Sequence, residues 1–122
     1  MILVDTSVWI DHLRSGDEQL TALLNSNQVM GHPFVLGELA CGNLQNRAEF
    51  LVLMADLPQA VTASDTEVLF FIEQHELMGR GIGFVDAHLL ASVSLTGAAR
   101  LWTRDQRLAT LSESSPLPII PG

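Results

Sequence analysis

Met1-Ile2-Leu3-Val4-Asp5-Thr6-Ser7 is the stretch of sequence that decides the fold. Ile2–Val4 is an uninterrupted apolar run, which is typical of a parallel strand buried on both faces of its sheet. Asp5 follows at once, and Thr6 or Ser7 is expected to cap a helix that ends near Gly16. A buried strand that leads directly into a helix predicts an α/β fold.

The same alternation of short strands and amphipathic helices continues along the chain. Further strands are predicted at Gln28–Met30, Ala99–Thr103 and Leu117–Ile120. Helices are predicted after Asp17, from Pro33 to about Asn43, after Asn46, after Ser64, from Phe84 to about Thr96, and over Arg104–Leu111. The starts after Asn46 and Ser64 have the spacing of capping boxes, with a glutamate three residues later. This order predicts an α/β sandwich with a mostly parallel sheet.

Length and composition indicate one domain over residues 1–122. The chain has 122 residues, of which 48% are hydrophobic, so it can bury a single core. Its apolar runs are too short to span a bilayer, and no basic segment precedes the first strand as in a secretory signal. The single cysteine, Cys41, excludes a disulfide scaffold. We expect a cytoplasmic protein that does not enter membranes.

The charge balance is strongly acidic. Fourteen acids face six bases, which gives a formal net charge of −8, and all six bases are arginine. Such a chain is not expected to coat nucleic acid nonspecifically or to bind an anionic membrane. Taken alone, the composition argues against a nucleic-acid-binding protein.

Four acids are predicted to lie near one end of the sheet. Asp5 and Asp105 each follow a predicted strand, and functional groups of parallel sheets gather beyond the carboxyl ends of the strands. Asp86 lies in the first turn of its helix, next to a glycine-rich loop, and Glu38 lies among apolar residues of the Pro33 helix. Taken singly, each has a structural explanation, such as stabilising a helix N-terminus or pairing with an arginine.

Taken together, the four acids favour a metal site. Two carboxylates about 5 Å apart repel by roughly 3 kcal/mol at an effective dielectric constant near 20. A hard divalent cation neutralises such a cluster, and ligands that are all oxygen suit Mg²⁺ or Mn²⁺ better than zinc. Because carboxylate-held metal ions support phosphodiester hydrolysis, the acids predict metal-dependent phosphoryl chemistry.

Several segments also resemble a known family in order along nearly the whole chain. They are Asp5-Thr6-Ser7-Val8-Trp9-Ile10, Glu38-Leu39 with Gly42, Asp86-Ala87-His88-Leu89-Leu90-Ala91, and Leu101-Trp102-Thr103-Arg104-Asp105-Gln106-Arg107-Leu108. They are similar to the PIN-domain ribonucleases, and most of all to the VapC toxins of bacterial toxin–antitoxin pairs. The resemblance implies a three-layer α/β/α fold around a five-stranded, mostly parallel sheet.

The resemblance also implies roles for individual residues. It implies that one or two Mg²⁺ or Mn²⁺ ions bind to a set of four acids, namely Asp5, Glu38, Asp86 and Asp105. The hydroxyls of Thr103 and Ser7 would orient ligands or water. Metal-activated water would cleave RNA to leave a 5′-phosphate and a 3′-hydroxyl. Family members often form homodimers, and a cognate VapB antitoxin inhibits them by laying its C-terminal segment across the active site.

The remaining candidates are a histidine and two arginines. His32 stands where many relatives have serine or threonine, and we interpret it as a local substitution outside the metal-binding set. Arg80 and Arg104 are the candidate RNA contacts, since they lie near the later acids and guanidinium groups suit phosphate. For Arg100 and Arg107 we favour pairing with surplus acids at the surface.

Other functions can be compared residue by residue. A phosphatase of the haloacid dehalogenase type needs a second aspartate two residues after the first, where this chain has Ser7, and a phosphoacceptor receiver domain needs a lysine. A PIN nuclease of RNA maturation and an inactive PIN module that binds a partner stay open as alternatives. The presence of all four acids and Thr103 argues against inactivity, and an antitoxin gene upstream would favour the toxin role.

Overall fold

The computed structural model describes residues 1–122 as a parallel sheet flanked by helices. In chain order the elements are β1 (Ile2–Val4), α1 (Thr6–Ser15), α2 (Glu18–Asn25), β2 (Val29–Met30), α3 (Pro33–Ala40), α4 (Arg47–Asp56), α5 (Asp65–Gln74), α6 (Phe84–Thr96), β3 (Arg100–Thr103), α7 (Gln106–Ser114) and β4 (Ile119–Pro121). No helix is long and apolar enough to cross a membrane.

The sheet has the strand order β2-β1-β3-β4, and all neighbouring strands are parallel. Val4 at the end of β1 lies beside Trp102 of β3, and the Asp5 amide donates to the Trp102 carbonyl at 2.9 Å. β2 follows β1 and lies on one side of it, and the chain then crosses to β3 on the other side of β1. The gap between β1 and β3 is therefore the switch point, where α/β folds place their sites. The residues that follow β1 and β3 therefore share one end of the sheet.

The sheet has four strands, so the expectation of five is wrong in that detail. At the position of a fifth strand, Gln59 forms a single parallel bridge with Gly31. Two hydrogen bonds hold it, from the Gly31 amide to the Pro58 carbonyl (2.8 Å) and from the Ala60 amide to the Gly31 carbonyl (3.0 Å). Pro58 has no N–H to extend the ladder, and a Cβ on Gly31 would lie 2.7 Å from the Gln59 side chain.

Helix ends differ from the sequence prediction where side chains have other partners. Asp5, not Thr6 or Ser7, occupies the N-cap position of α1, because those hydroxyls bond to carboxylates instead. The capping box predicted at Asn46 is absent, whereas that of Ser64 is confirmed. The helix predicted from Arg104 begins at Gln106, where the preceding aspartate caps it.

The core is continuous across the sheet and its helices. Leu3 and Leu101 are fully buried, and Trp102 is almost fully buried. α6 is buried from Ala87 through Val93, so this helix is covered on more than one face. Cys41 is exposed at the end of α3.

Candidate active site

Asp5 is the most firmly held of the predicted acids. Its side chain is buried, and its Oδ2 accepts hydrogen bonds from the Thr103 hydroxyl (2.8 Å) and the Ser7 hydroxyl (3.0 Å). Thr103 is fully buried at the end of β3, and its Oγ1 also accepts from the Asp105 amide at 3.0 Å. The two hydroxyls therefore fix the rotation of the Asp5 carboxylate and leave its Oδ1 outside both bonds.

Asp86 is the acid most affected by its neighbours. It lies in the first turn of α6, and its Oδ2 accepts from the Gly83 amide at 3.0 Å. Burial raises the pKa of Asp86, the Gly83 amide opposes this rise, and the charges of Asp5 and Asp105 add to it. An elevated pKa from burial and like charges is typical of carboxylates that share a functional site.

Asp105 is bound by an arginine. Its carboxylate caps α7 by accepting from the Arg107 amide at 2.9 Å, and the Arg107 guanidinium donates to both carboxylate oxygens, at 3.1 and 2.7 Å. The same guanidinium lies 3.8 Å from Asp86 Oδ2. Hydrogen bonding to Arg107 is the main reason that the pKa of Asp105 is lowered.

Glu38 lies at the edge of this group. It is exposed on α3, and its Oε1 accepts a hydrogen bond from the Thr6 hydroxyl at 2.7 Å. α3 packs against α1, so the residue pair Thr6–Glu38 joins the start of α1 to the helix that carries the fourth acid. The sequence suggested an acid among apolar neighbours, but the carboxylate itself points to solvent.

The donor set suits a hard divalent cation in its chemistry, although the carboxylates are not fully gathered. All candidate ligands are carboxylate or hydroxyl oxygens, and the charges of Asp5 and Asp105 act on the Asp86 pKa. No three His, Cys, Asp or Glu side chains converge closely enough to enclose an ion. Thr6 and Arg107 hold the outer two acids in this arrangement.

The two arginines predicted to bind RNA have structural partners. Arg104 pairs with Asp11 (2.9 Å) and Asp17, and its guanidinium lies 5.3 Å from the centre of the Trp102 ring. Arg80 donates to the Ser114 hydroxyl. Arg107 does pair with acids at the surface, as expected, but the acids are the candidate ligands Asp105 and Asp86 and not surplus ones. Its position two residues after Asp105 was the available signal.

Two buried histidines connect the helices behind the site. His32 is 1% exposed, its Nδ1 accepts from the Phe34 amide at the start of α3 (3.0 Å), and its Nε2 lies 3.0 Å from Ser92 Oγ on α6. Burial, with His88 nearby, lowers the pKa of His32 to about 4. His88 is also buried, and its Nε2 lies 3.0 Å from Asp65 Oδ1.

Comparison with known proteins identifies the family to which the chain belongs. The model of the PIN-domain family matches residues 2–113, so the chain belongs to the PIN-domain family. Proteins named Ribonuclease VapC32, from two strains of Mycobacterium tuberculosis (CDC 1551 / Oshkosh and ATCC 25618 / H37Rv), are each 51% identical over 115 residues, which covers 93% of this chain and 93% of theirs. Within its family, the chain is a VapC-type PIN domain.

A solved structure supports the same fold. A chain from the structure of FitAB bound to an IR36 DNA fragment superposes with a TM-score of 0.67, covering 99% of this chain and 94% of that one at 19% identity. With the family match, the predicted three-layer α/β/α architecture is confirmed apart from the missing strand.

Proposed function

We propose that this protein is a VapC-type toxin that hydrolyses RNA phosphodiester bonds with the help of Mg²⁺ or Mn²⁺. One observation carries the proposal: Asp5, Asp86 and Asp105 interact at one end of the sheet in a chain that is 51% identical to proteins named Ribonuclease VapC32. Because these three acids lie near the switch point of the sheet, they stand where this fold class builds its sites.

Asp5, Glu38, Asp86 and Asp105 would hold one or two divalent ions. When bound, such an ion lowers the pKa of water and neutralises charge on the phosphate. The chain itself contributes orientation. Ser7 and Thr103 hold the Asp5 carboxylate at 3.0 and 2.8 Å, which reduces the cost of ordering it when an ion binds.

The partner proposed for this chain is a VapB-type antitoxin whose C-terminal segment covers the site. The formal net charge of −8 supports a basic partner segment, since complementary charge speeds association and favours the correct partner. RNA and such an antitoxin would both be met in the cytoplasm.

The test of the proposed function is cleavage of RNA by the purified protein. We expect cleavage of a mixed pool of transfer, ribosomal and messenger RNA with Mg²⁺ or Mn²⁺, complete loss with EDTA, and recovery when excess Mg²⁺ is restored. Gel analysis of the RNA is the readout, and a preparation from cells carrying the empty vector is the control. Cleavage that persists in EDTA would contradict the proposal.

A homodimer is also proposed, through an apolar patch on α5 and α6. Phe70 and Leu95, which are 66% and 47% exposed, line one surface cavity between these helices and form the patch. Exposed aromatic side chains of this kind are enriched in protein interfaces. A second apolar surface, around Val52 and Leu53 on α4, provides the comparison.

Phe70→Glu is expected to convert the dimer into a folded monomer, because a buried charge without a partner opposes association. Size-exclusion chromatography with light scattering gives the mass, and circular dichroism checks the fold. Leu53→Glu, a matched change on α4, should leave the dimer intact. A monomeric wild type, or dissociation by Leu53→Glu and not by Phe70→Glu, would show that this patch is not the interface.

A further inference from the structure

Arg107 occupies the carboxylates that the proposed metal site would use. Its backbone amide and Nε both donate to Asp105 Oδ1, at 2.9 and 3.1 Å, and its Nη2 donates to Asp105 Oδ2 at 2.7 Å. A carboxylate offers about four acceptor positions, so three of those on Asp105 are already taken. The guanidinium Nη2 is also 3.8 Å from Asp86 Oδ2.

The surroundings of Arg107 hold the guanidinium weakly enough for it to leave. Its side chain is 55% exposed, and apart from the two acids its guanidinium donates only to the Gly81 carbonyl, at 3.1 Å. Gly81 lies in the loop before α6, so this last contact is to the backbone of a loop and not to a third charged group. Half-exposed ion pairs contribute little free energy, so replacing the guanidinium with another cation costs little.

Arg104 shows how a structural arginine differs in the same chain. Its side chain is 26% exposed, it pairs with Asp11 and Asp17 outside the acid group, and its Nε donates to the Gly122 carbonyl. Its ring contact with Trp102 adds a further constraint. Arg107 alone combines an exposed guanidinium with two of the four candidate metal ligands.

We propose that the Arg107 guanidinium is an exchangeable counter-ion of Asp105 and Asp86, which a divalent cation must displace in order to bind. The inference rests on the metal site of the proposed function. In the metal-free protein the guanidinium reduces the repulsion between the two carboxylates. Since the bound cation needs the same oxygens, this contact competes with metal binding and lowers the apparent affinity of the site.

The first test measures Mn²⁺ binding to the full chain by isothermal titration calorimetry, with no RNA present. Arg107→Gln is expected to lower the apparent Kd for Mn²⁺ about fivefold relative to Arg100→Gln, as for removal of a weak competing contact. Arg100 is the matched control, because it is exposed at the opposite end of β3 and forms no ion pair. Arg107→Lys, which keeps the charge and loses the bidentate geometry, should fall between them.

Nuclear magnetic resonance gives a readout that does not depend on affinity. The chain has six arginines, so its arginine Nε–Hε region contains at most six signals, and Arg107→Gln identifies the one that belongs to Arg107. Addition of Mg²⁺ to the wild type is expected to shift or broaden that signal. The signal of Arg104, whose Nε donates to the Gly122 carbonyl, should not shift.

The outcomes separate this inference from the proposed function. Mn²⁺ binding by Arg107→Gln that is no tighter than that of Arg100→Gln, or an Arg107 signal unmoved at saturating Mg²⁺, would overturn the counter-ion inference. A lack of Mn²⁺ binding by every variant would overturn both proposals. Failure of RNA cleavage with the Mn²⁺ results intact would overturn the ribonuclease proposal alone.

Discussion

Asp86→Asn is expected to reduce RNA cleavage more than about a hundredfold without destabilising the protein, since even residues that only support metal ligands alter affinity or activity by about 10- to 100-fold. Asp86 is the acid whose pKa is raised by burial and by the charges of Asp5 and Asp105. Removing its charge relieves that repulsion and at the same time weakens the site for a cation. Asparagine Oδ1 can still accept from the Gly83 amide, so the start of α6 should keep its bond.

The measurement combines initial cleavage rates in Mg²⁺ with thermal unfolding of the same samples. Asp56→Asn is the matched control, since Asp56 is an exposed acid at the end of α4 and carries no ion pair. It makes the same change in net charge and should leave both rate and stability as in the wild type. Cleavage by Asp86→Asn within a few fold of the wild type would remove Asp86 from the site.

His32→Ala is expected to lower the free energy of unfolding by about 2–4 kcal/mol, from the lost N-cap, the lost hydrogen bond and the cavity together. The imidazole is 1% exposed and caps α3 through the Phe34 amide, while its other nitrogen reaches Ser92 on α6. His32→Asn, which keeps a capping acceptor, should recover part of the loss. Urea unfolding gives the values, with the partly exposed His75→Ala as the control. A loss no larger than that of His75→Ala would contradict this role.

The same histidine is expected to make stability depend on pH. Its pKa is about 4 in the folded protein against 6.5 without the fold, so between these values the unfolded chain binds more protons. Stability therefore falls as the pH drops from about 6.5 towards 4, by up to roughly 3 kcal/mol. His88 and its partner Asp65 lie on the helices packed nearby. The free energy of unfolding, measured by denaturation at several pH values in this range, should change less steeply with pH for His32→Asn than for the wild type. Equal slopes would contradict the assignment to His32.

The sequence was sufficient to predict the parts of the site that depend on strand ends. Ile2–Val4 and Ala99–Thr103 are apolar enough to be recognised as buried strands, and an acid follows each. Since neighbouring parallel strands end at one edge of a sheet, Asp5 and Asp105 were expected near each other. β1 and β3 are in fact neighbours, with Val4 beside Trp102.

The side chains that depend on contacts far along the chain could not be predicted in this way. Arg104 was assigned to RNA from its place beside Asp105, but its partner Asp17 lies 87 residues away and comes close only through the fold. The residue pattern predicted the four strands that are present, and the fifth, which the resemblance implied, is reduced to a single bridge between Gly31 and Gln59. The burial of His88 could not be predicted either, because α6 is buried from Ala87 through Val93, which exceeds what a one-sided amphipathic pattern indicates.

The most direct test of the central claim, that these carboxylates serve metal-dependent hydrolysis of RNA, is the chemistry of the ends that cleavage leaves. The products of the wild type in Mg²⁺ should carry 5′-phosphates, detected by their ligation to a 3′-hydroxyl acceptor and by degradation with a 5′-phosphate-dependent exonuclease. Asp86→Asn prepared in parallel should yield no such products. Ends consisting of 2′,3′-cyclic phosphate and 5′-hydroxyl would mean that the ribose 2′-hydroxyl attacks instead of water, and would contradict the account.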